Sequence, residues 1–133
     1  MLRLSNIEKR FYVGTPHENQ LYQDLNIHIQ DGEFITVIGS NGSGKSTFFN
    51  IIAGTLQPDQ GSILFKGQDI AHLPEHLRSR HIARVYQDPL KGTAPSLTIL
   101  ENLSMAYNKG KKFNLSRGVD QSLLEHFKHE LKS

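Results

Sequence analysis

Gly39-Ser40-Asn41-Gly42-Ser43-Gly44-Lys45-Ser46 fits the pattern G-x-x-x-x-G-K-[ST] at every fixed position. Glycines at 39, 42 and 44 let the backbone come close to an anion and turn successive N–H groups inward as a nest. A helix following at once would add the positive end of its dipole. Lys45 then reaches the β- and γ-phosphates as a point charge, and the Ser46 hydroxyl joins a Mg²⁺ shell with phosphate oxygens and water. Thr47 supports the loop or the α-phosphate. The chemistry these residues imply is the holding of a nucleoside triphosphate.

Such a loop must sit between a strand and a helix, and its flanks predict both. Phe34-Ile35-Thr36-Val37-Ile38 reads as a short buried strand, and Phe48-Phe49-Asn50-Ile51-Ile52-Ala53 as a helix stopped by Gly54. Upstream, Leu2, Leu4 and Ile7 suggest a first strand, and Leu25-Asn26-Ile27-His28-Ile29 alternates apolar and polar residues as a half-buried strand does. Asp31-Gly32 turns the chain back, which predicts a hairpin leading into the strand before the loop. Downstream come a turn at Pro58-Asp59-Gln60-Gly61, a strand at Ser62–Phe65, a short helix from Pro74 through Arg80 and a strand at Ile82–Tyr86. Thr98-Ile99-Leu100-Glu101 has the spacing of a capping box, so a helix is expected from there toward Tyr107, broken at Gly110-Lys111-Lys112. A last amphipathic segment groups Leu123, Leu124, Phe127 and Leu131. The fold class is α/β.

Composition narrows the function classes. A net charge of +2 over 133 residues is too small for a nucleic-acid reading, and no cysteine is present to build a disulfide scaffold or thiolate metal site. No apolar run reaches the length of a membrane span or a signal peptide core, so a cytoplasmic protein is expected. The seven histidines lack a ligand pattern: Pro74 separates His72 from His76, and His126 and His129 share helical spacing without a third partner.

The landmarks from the first strand to about Tyr107 resemble the ATP-binding subunit of ABC transporters. They are Lys9-Arg10-Phe11, Asp31-Gly32-Glu33, Gly39 to Thr47, Ile52-Ala53-Gly54, Pro58-Asp59-Gln60-Gly61, Gly67-Gln68-Asp69-Ile70, Val85-Tyr86-Gln87 and Leu97-Thr98-Ile99-Leu100-Glu101-Asn102. The resemblance implies a phosphate-loop NTPase: an antiparallel β subdomain, part of a parallel core and the start of a helical subdomain. Residues 1–133 are then a partial ATP-binding domain, with the nucleotide-binding core portion in 1–95 and the helical subdomain beginning in 96–133. ATP and Mg²⁺ are the implied cofactors. Phe11 takes the place of the aromatic that stacks on adenine, with Tyr12 as the alternative. Gln87 takes that of a glutamine whose amide oxygen binds Mg²⁺ while its nitrogen positions water. The stretch Asp88–Pro95 would be a joint toward the helical subdomain and a transmembrane partner. Implied partners are a transmembrane permease subunit and a second ATP-binding subunit, at the cytoplasmic face of the membrane.

Departures from the family pattern matter equally. Leu115-Ser116-Arg117-Gly118 only echoes the family's Leu-Ser-Gly-Gly-Gln signature, and no apolar strand ending in Asp-Glu follows it. The expectation is an N-terminal part of a transporter ATPase that binds ATP without hydrolysing it alone. Segment 104–132 also resembles importers suggested to handle tryptophan or tyrosine. The alternatives are a soluble ABC-type ATPase acting on nucleic acid or the ribosome, and a non-hydrolysing remnant.

Overall fold

The computed structural model describes residues 1–111, 119 and 121–132. They form two compact units, Met1–Ala83 and Arg84–Ser133.

The first unit is built on a hairpin. Strand β1 (Leu2–Phe11) pairs antiparallel with β2 (Asn19–Ile29) on one edge and with β3 (Gln60–Phe65) on the other, and the short β4 (Gln68–Asp69) completes the order β2-β1-β3-β4. Leu4 faces Ile27 across one ladder and Ile63 across the other, so apolar side chains of three strands share a row. The register then slips between Leu4 and Ile7, where Asn6 takes φ 52°, and again between Ile7 and Lys9, where Asp24 of β2 takes φ 63°. A bulge of this kind re-aims the following side chains. It allows Leu4 and Ile7, an odd number apart, both to be buried. The Asn6 amide donates to Asp24 Oδ1 at 2.6 Å, and the Asn6 N–H donates to Asn26 Oδ1 at 2.9 Å, so polar side chains satisfy the bulged backbone. Gly61 (φ 100°) crosses here, and a Cβ on it would come within 2.6 Å of the Ser5 carbonyl oxygen. Only glycine fits that approach.

Helix α1 (Lys45–Ala53) closes the core from above the sheet's apolar row. Phe48 and Ile51 are buried and Ile52 is partly buried, the i, i+3, i+4 spacing of one helical face. They pack with Leu4, Ile7, Ile63, Ile70 and Ala71. Gly54 (φ 87°) ends the helix, its N–H donating to the Asn50 carbonyl at 3.0 Å. Helix α2 (Glu75–Arg78) is shorter than the expected Pro74–Arg80 segment.

The sequence predicts strands at 34–38 and 82–86, yet neither segment belongs to a ladder. A strand exists through hydrogen bonds to a neighbour, and no described strand lies beside either segment. Phe34 is 94% exposed and Ile38 89%, so the expected burial is also absent.

In the second unit a 3-10 turn at Pro89–Lys91 precedes α3 (Ile99–Asn108) and α4 (Gln121–Glu130). The expected capping box is formed: Thr98 N–H donates to Glu101 Oε2 at 2.7 Å and Glu101 N–H to Thr98 Oγ1 at 3.3 Å. Phe127 of α4 is buried, edge-on to Tyr107 of α3 at 5.9 Å between centroids. Leu115–Gly118, set aside above as a false signature, lies outside the described residues.

Candidate functional site

Residues 39–44 form an exposed turn running directly into the first turn of α1, so the loop opens onto a helix N-terminus. Gly44 is the N-cap residue, with φ 93°, and no side chain caps the helix. No acidic residue lies in its first turn. The N–H groups of that turn and the dipole therefore present positive potential with no carboxylate to neutralise it. Gly42 shares the left-handed conformation at φ 83°. Gly39 does not; a Cβ there would meet Ser43 Oγ, which would have to turn aside to admit it. A cradle that one methyl group would fill suits a phosphate lying against bare backbone.

Lys45 Nζ donates to the carbonyl oxygens of Gly39 at 2.6 Å and Ser40 at 2.7 Å, so the first and last parts of the loop are tied through one ammonium. Ser46 is exposed at the first turn of α1, and Thr47 is half-buried. Hard oxygen donors such as the Ser46 hydroxyl and a glutamine amide match the preference of Mg²⁺.

One side chain from the sheet reaches this loop, and the sequence reading missed it. The Tyr22 hydroxyl of β2 donates to the Gly44 carbonyl at 2.7 Å, and that carbonyl also accepts from Phe48 N–H at 2.8 Å. Burial pushes the Tyr22 phenol above its ordinary value, against a hydrogen bond from the Phe48 backbone. It remains a donor at neutral pH.

Phe11 ends β1, half-buried, opposite Asn19. Lys9 Nζ stands 5.6 Å from its ring centroid and pairs with Asp59 Oδ1 at 2.6 Å. Asp59 Oδ2 accepts from Arg10 N–H at 2.6 Å, and Asp59 N–H donates to the Glu8 carbonyl at 2.9 Å. Burial would raise the Asp59 carboxyl, but the bonds from Lys9 and Arg10, with their charges, hold it below the usual carboxylate range. Asp59 was read only as a turn residue. Tyr12, the alternative aromatic, is 71% exposed and takes φ 56°. Gln87 occupies an exposed bend of the second unit. The structure thus gathers Gly39–Thr47 into one loop and the helical turn that follows it within the first unit, while Gln87 belongs to the other.

The segment after Gln87 is ordered by side chains near both ends. Asp88 Oδ1 accepts from Leu90 N–H at 3.1 Å. Asn102 of α3 accepts from Ala94 N–H at 2.8 Å and donates to the carbonyls of Ala94, Leu97 and Thr98 at 3.1, 3.2 and 3.0 Å.

A glycine-rich loop opening onto a helix that packs on a sheet defines a phosphate-loop nucleotide-binding unit. The chain belongs to the ABC transporter family, whose profile matches residues 22–132. It is 45% identical over 117 residues to the tyrosine transport ATP-binding protein of Clostridioides difficile (strain R20291), covering 88% of this chain and 47% of that protein. It is 35% identical over 105 residues to the spermidine/putrescine import ATP-binding protein PotA of Haemophilus influenzae, covering 79% of this chain and 27% of the relative. The chain therefore spans less than half the length of these curated relatives. Among solved structures, a dimeric ATP-binding cassette in a post-hydrolysis state with ADP and Pi superposes with TM-score 0.76 at 27% identity, covering 99% of this chain and 55% of that one. A nucleotide-free cassette from an ABC transporter gives 0.67 at 31% identity, covering 86% and 43%. The fold is that of an ABC-type ATPase cassette.

Proposed function

We propose that this chain binds Mg-ATP through Gly39–Thr47 and forms part of the ATP-binding subunit of an ABC importer. The observation that carries this reading is the cradle itself: Gly39 packed against Ser43, Gly42 and Gly44 at positive φ, and Lys45 at the head of an uncapped helix. In this reading Lys45 contacts the β- and γ-phosphates, Ser46 and Gln87 supply oxygen to Mg²⁺, and Phe11 or its neighbour Tyr12 stacks on adenine. Bound Mg²⁺ neutralises charge on the phosphate oxygens. Gln87 also orients water.

Hydrolysis is assigned to a pair of subunits, in which the signature segment of one faces the phosphate loop of the other; the post-hydrolysis dimer among the similar structures supports that arrangement. A permease partner would dock beside the joint, where Ala94, Pro95, Leu97, Ile99 and Leu103 line an apolar recess and Ile99 is 74% exposed. Among the described residues no helix is long and apolar enough to cross a membrane, so membrane association would come through that partner. Similarity to a tyrosine transport ATP-binding protein supports an aromatic amino acid as cargo.

Calorimetry on the purified chain tests the reading. Lys45→Ala removes a charge-assisted contact and should weaken Mg-ATP binding by roughly ten- to hundredfold, about 1.5–3 kcal/mol. Equal affinity in parent and variant would refute it. The same protein should release no phosphate, because its sequence carries neither the Leu-Ser-Gly-Gly-Gln signature nor an Asp-Glu strand.

A further inference from the structure

Tyr22 stands on an eleven-residue strand paired along β1, and its hydroxyl meets the phosphate loop at the peptide joining Gly44 to Lys45. That peptide carries the N-cap carbonyl on one side and the first helical N–H on the other. In a trans peptide the C=O and N–H of one plane point in opposite directions. The Gly44 carbonyl is held by two donors, the Tyr22 hydroxyl at 2.7 Å and Phe48 N–H at 2.8 Å, so the Lys45 N–H is turned away from both. That direction is the open end of α1, where an anion is received. Donation to a peptide oxygen also polarises the amide, which makes its N–H a stronger donor.

The contact is built tightly. A Cβ on Gly44 would come within 2.7 Å of the Tyr22 Oη and 3.1 Å of Leu21 Cδ2, so the loop lies directly against β2 here. Sequence alternation alone would not bring Tyr22 to this side, since Leu25, three residues on, also packs on the core. The bulge at Asp24 makes both possible.

We propose that Tyr22 is a positioning residue for phosphate: its hydroxyl fixes the Gly44–Lys45 peptide so that the Lys45 N–H is presented to the anion. This rests on the reading of Gly39–Thr47 as a nucleotide site. The ring of Tyr22 fills core space and its hydroxyl orients the loop, so Tyr22→Phe separates the two roles.

The experiment compares the parent protein, Tyr22→Phe and Lys45→Ala by calorimetry with Mg-ATP, and records the Lys45 backbone amide resonance of parent and Tyr22→Phe without nucleotide. The expected result is a three- to tenfold weaker affinity for Tyr22→Phe, about the effect of one hydrogen bond, with the Lys45 amide resonance displaced. Parent-like affinity for Tyr22→Phe beside a large loss in Lys45→Ala would overturn the role of Tyr22 and leave the nucleotide site standing. Weaker binding with an unmoved Lys45 amide would overturn it too, because the hydroxyl would then act through general packing. No binding by the parent, or equal binding by Lys45→Ala, would remove the nucleotide site itself and this inference with it.

Discussion

Asp59 holds the end of β1 from two directions, by an ion pair to Lys9 and by accepting the Arg10 N–H, next to the aromatic assigned to adenine. Its folded-state carboxyl lies below the ordinary value, so the stability it contributes is complete above about pH 4 and is lost as pH falls through the folded value. Asp59→Asn should cost about 1 kcal/mol at neutral pH, a modest figure because the side chain is 40% exposed and solvent screens the pair. Urea unfolding of parent and variant at pH 7 and in acid checks this. The gap between them should close in acid, and a gap unchanged across that range would mean that the contact is not ionic. Asp59 also shows where sequence reading stops. The Gly39–Ser46 pattern is legible because it depends on residue type at fixed spacing, whereas Asp59 acts on a strand about fifty positions away and Tyr22 acts through a bulge. Neither relation is written in local spacing. The only local signal at Asp59 was an acidic residue inside a Pro–Gly turn.

Helix α1 carries the phosphate loop at one end and is clamped at the other by Arg78, a residue 2% exposed. Arg78 Nη1 donates to the carbonyls of Ile51 at 2.6 Å and Ile52 at 3.1 Å, Nη2 to Ala71 at 2.7 Å and Nε to Leu73 at 2.8 Å. Burial pushes the guanidinium below its ordinary value and Asp69 opposes that shift. A cation on the last carbonyls of a helix also complements its dipole. Arg78→Met would leave several buried carbonyls unpaired, and a loss of about 3 kcal/mol in unfolding free energy is expected. Arg78→Lys should recover little of it, because one ammonium cannot span four carbonyls set around a planar fork. Urea titration measures both; a loss below about 0.5 kcal/mol for Arg78→Met would show the clamp to be dispensable. The boundaries of α1 and α3 were readable from Gly54 and from the Thr98–Glu101 box, since caps are local chemistry. The segments 34–38 and 82–86 were misread for the opposite reason. An apolar run can be buried only where another element covers it, and a ladder needs a neighbour that no local pattern names.

Each unit leaves part of its apolar sequence in solvent. In the first, Phe34 and Ile38 are 94% and 89% exposed on backbone that joins no ladder, and Phe49 of α1 is 47% exposed. In the second, Val85 is 95% exposed within segment 82–86, which joins no strand ladder. A segment outside any ladder that exposes aromatic and β-branched side chains is a template for pairing with another chain. Loss of water from those side chains on association adds to the driving force. The 133-residue chain should therefore self-associate, through either unit, as its concentration rises. Sedimentation velocity across a concentration series should show growing weight-average mass, and Phe34→Lys combined with Val85→Lys should shift the curve to higher concentration, because charge on an exposed strand edge opposes pairing. The double variant changes neither the phosphate loop nor the buried core, so its Mg-ATP affinity should match the parent's. A monodisperse parent that unfolds cooperatively at every concentration would mean that these segments find partners within the chain in solution.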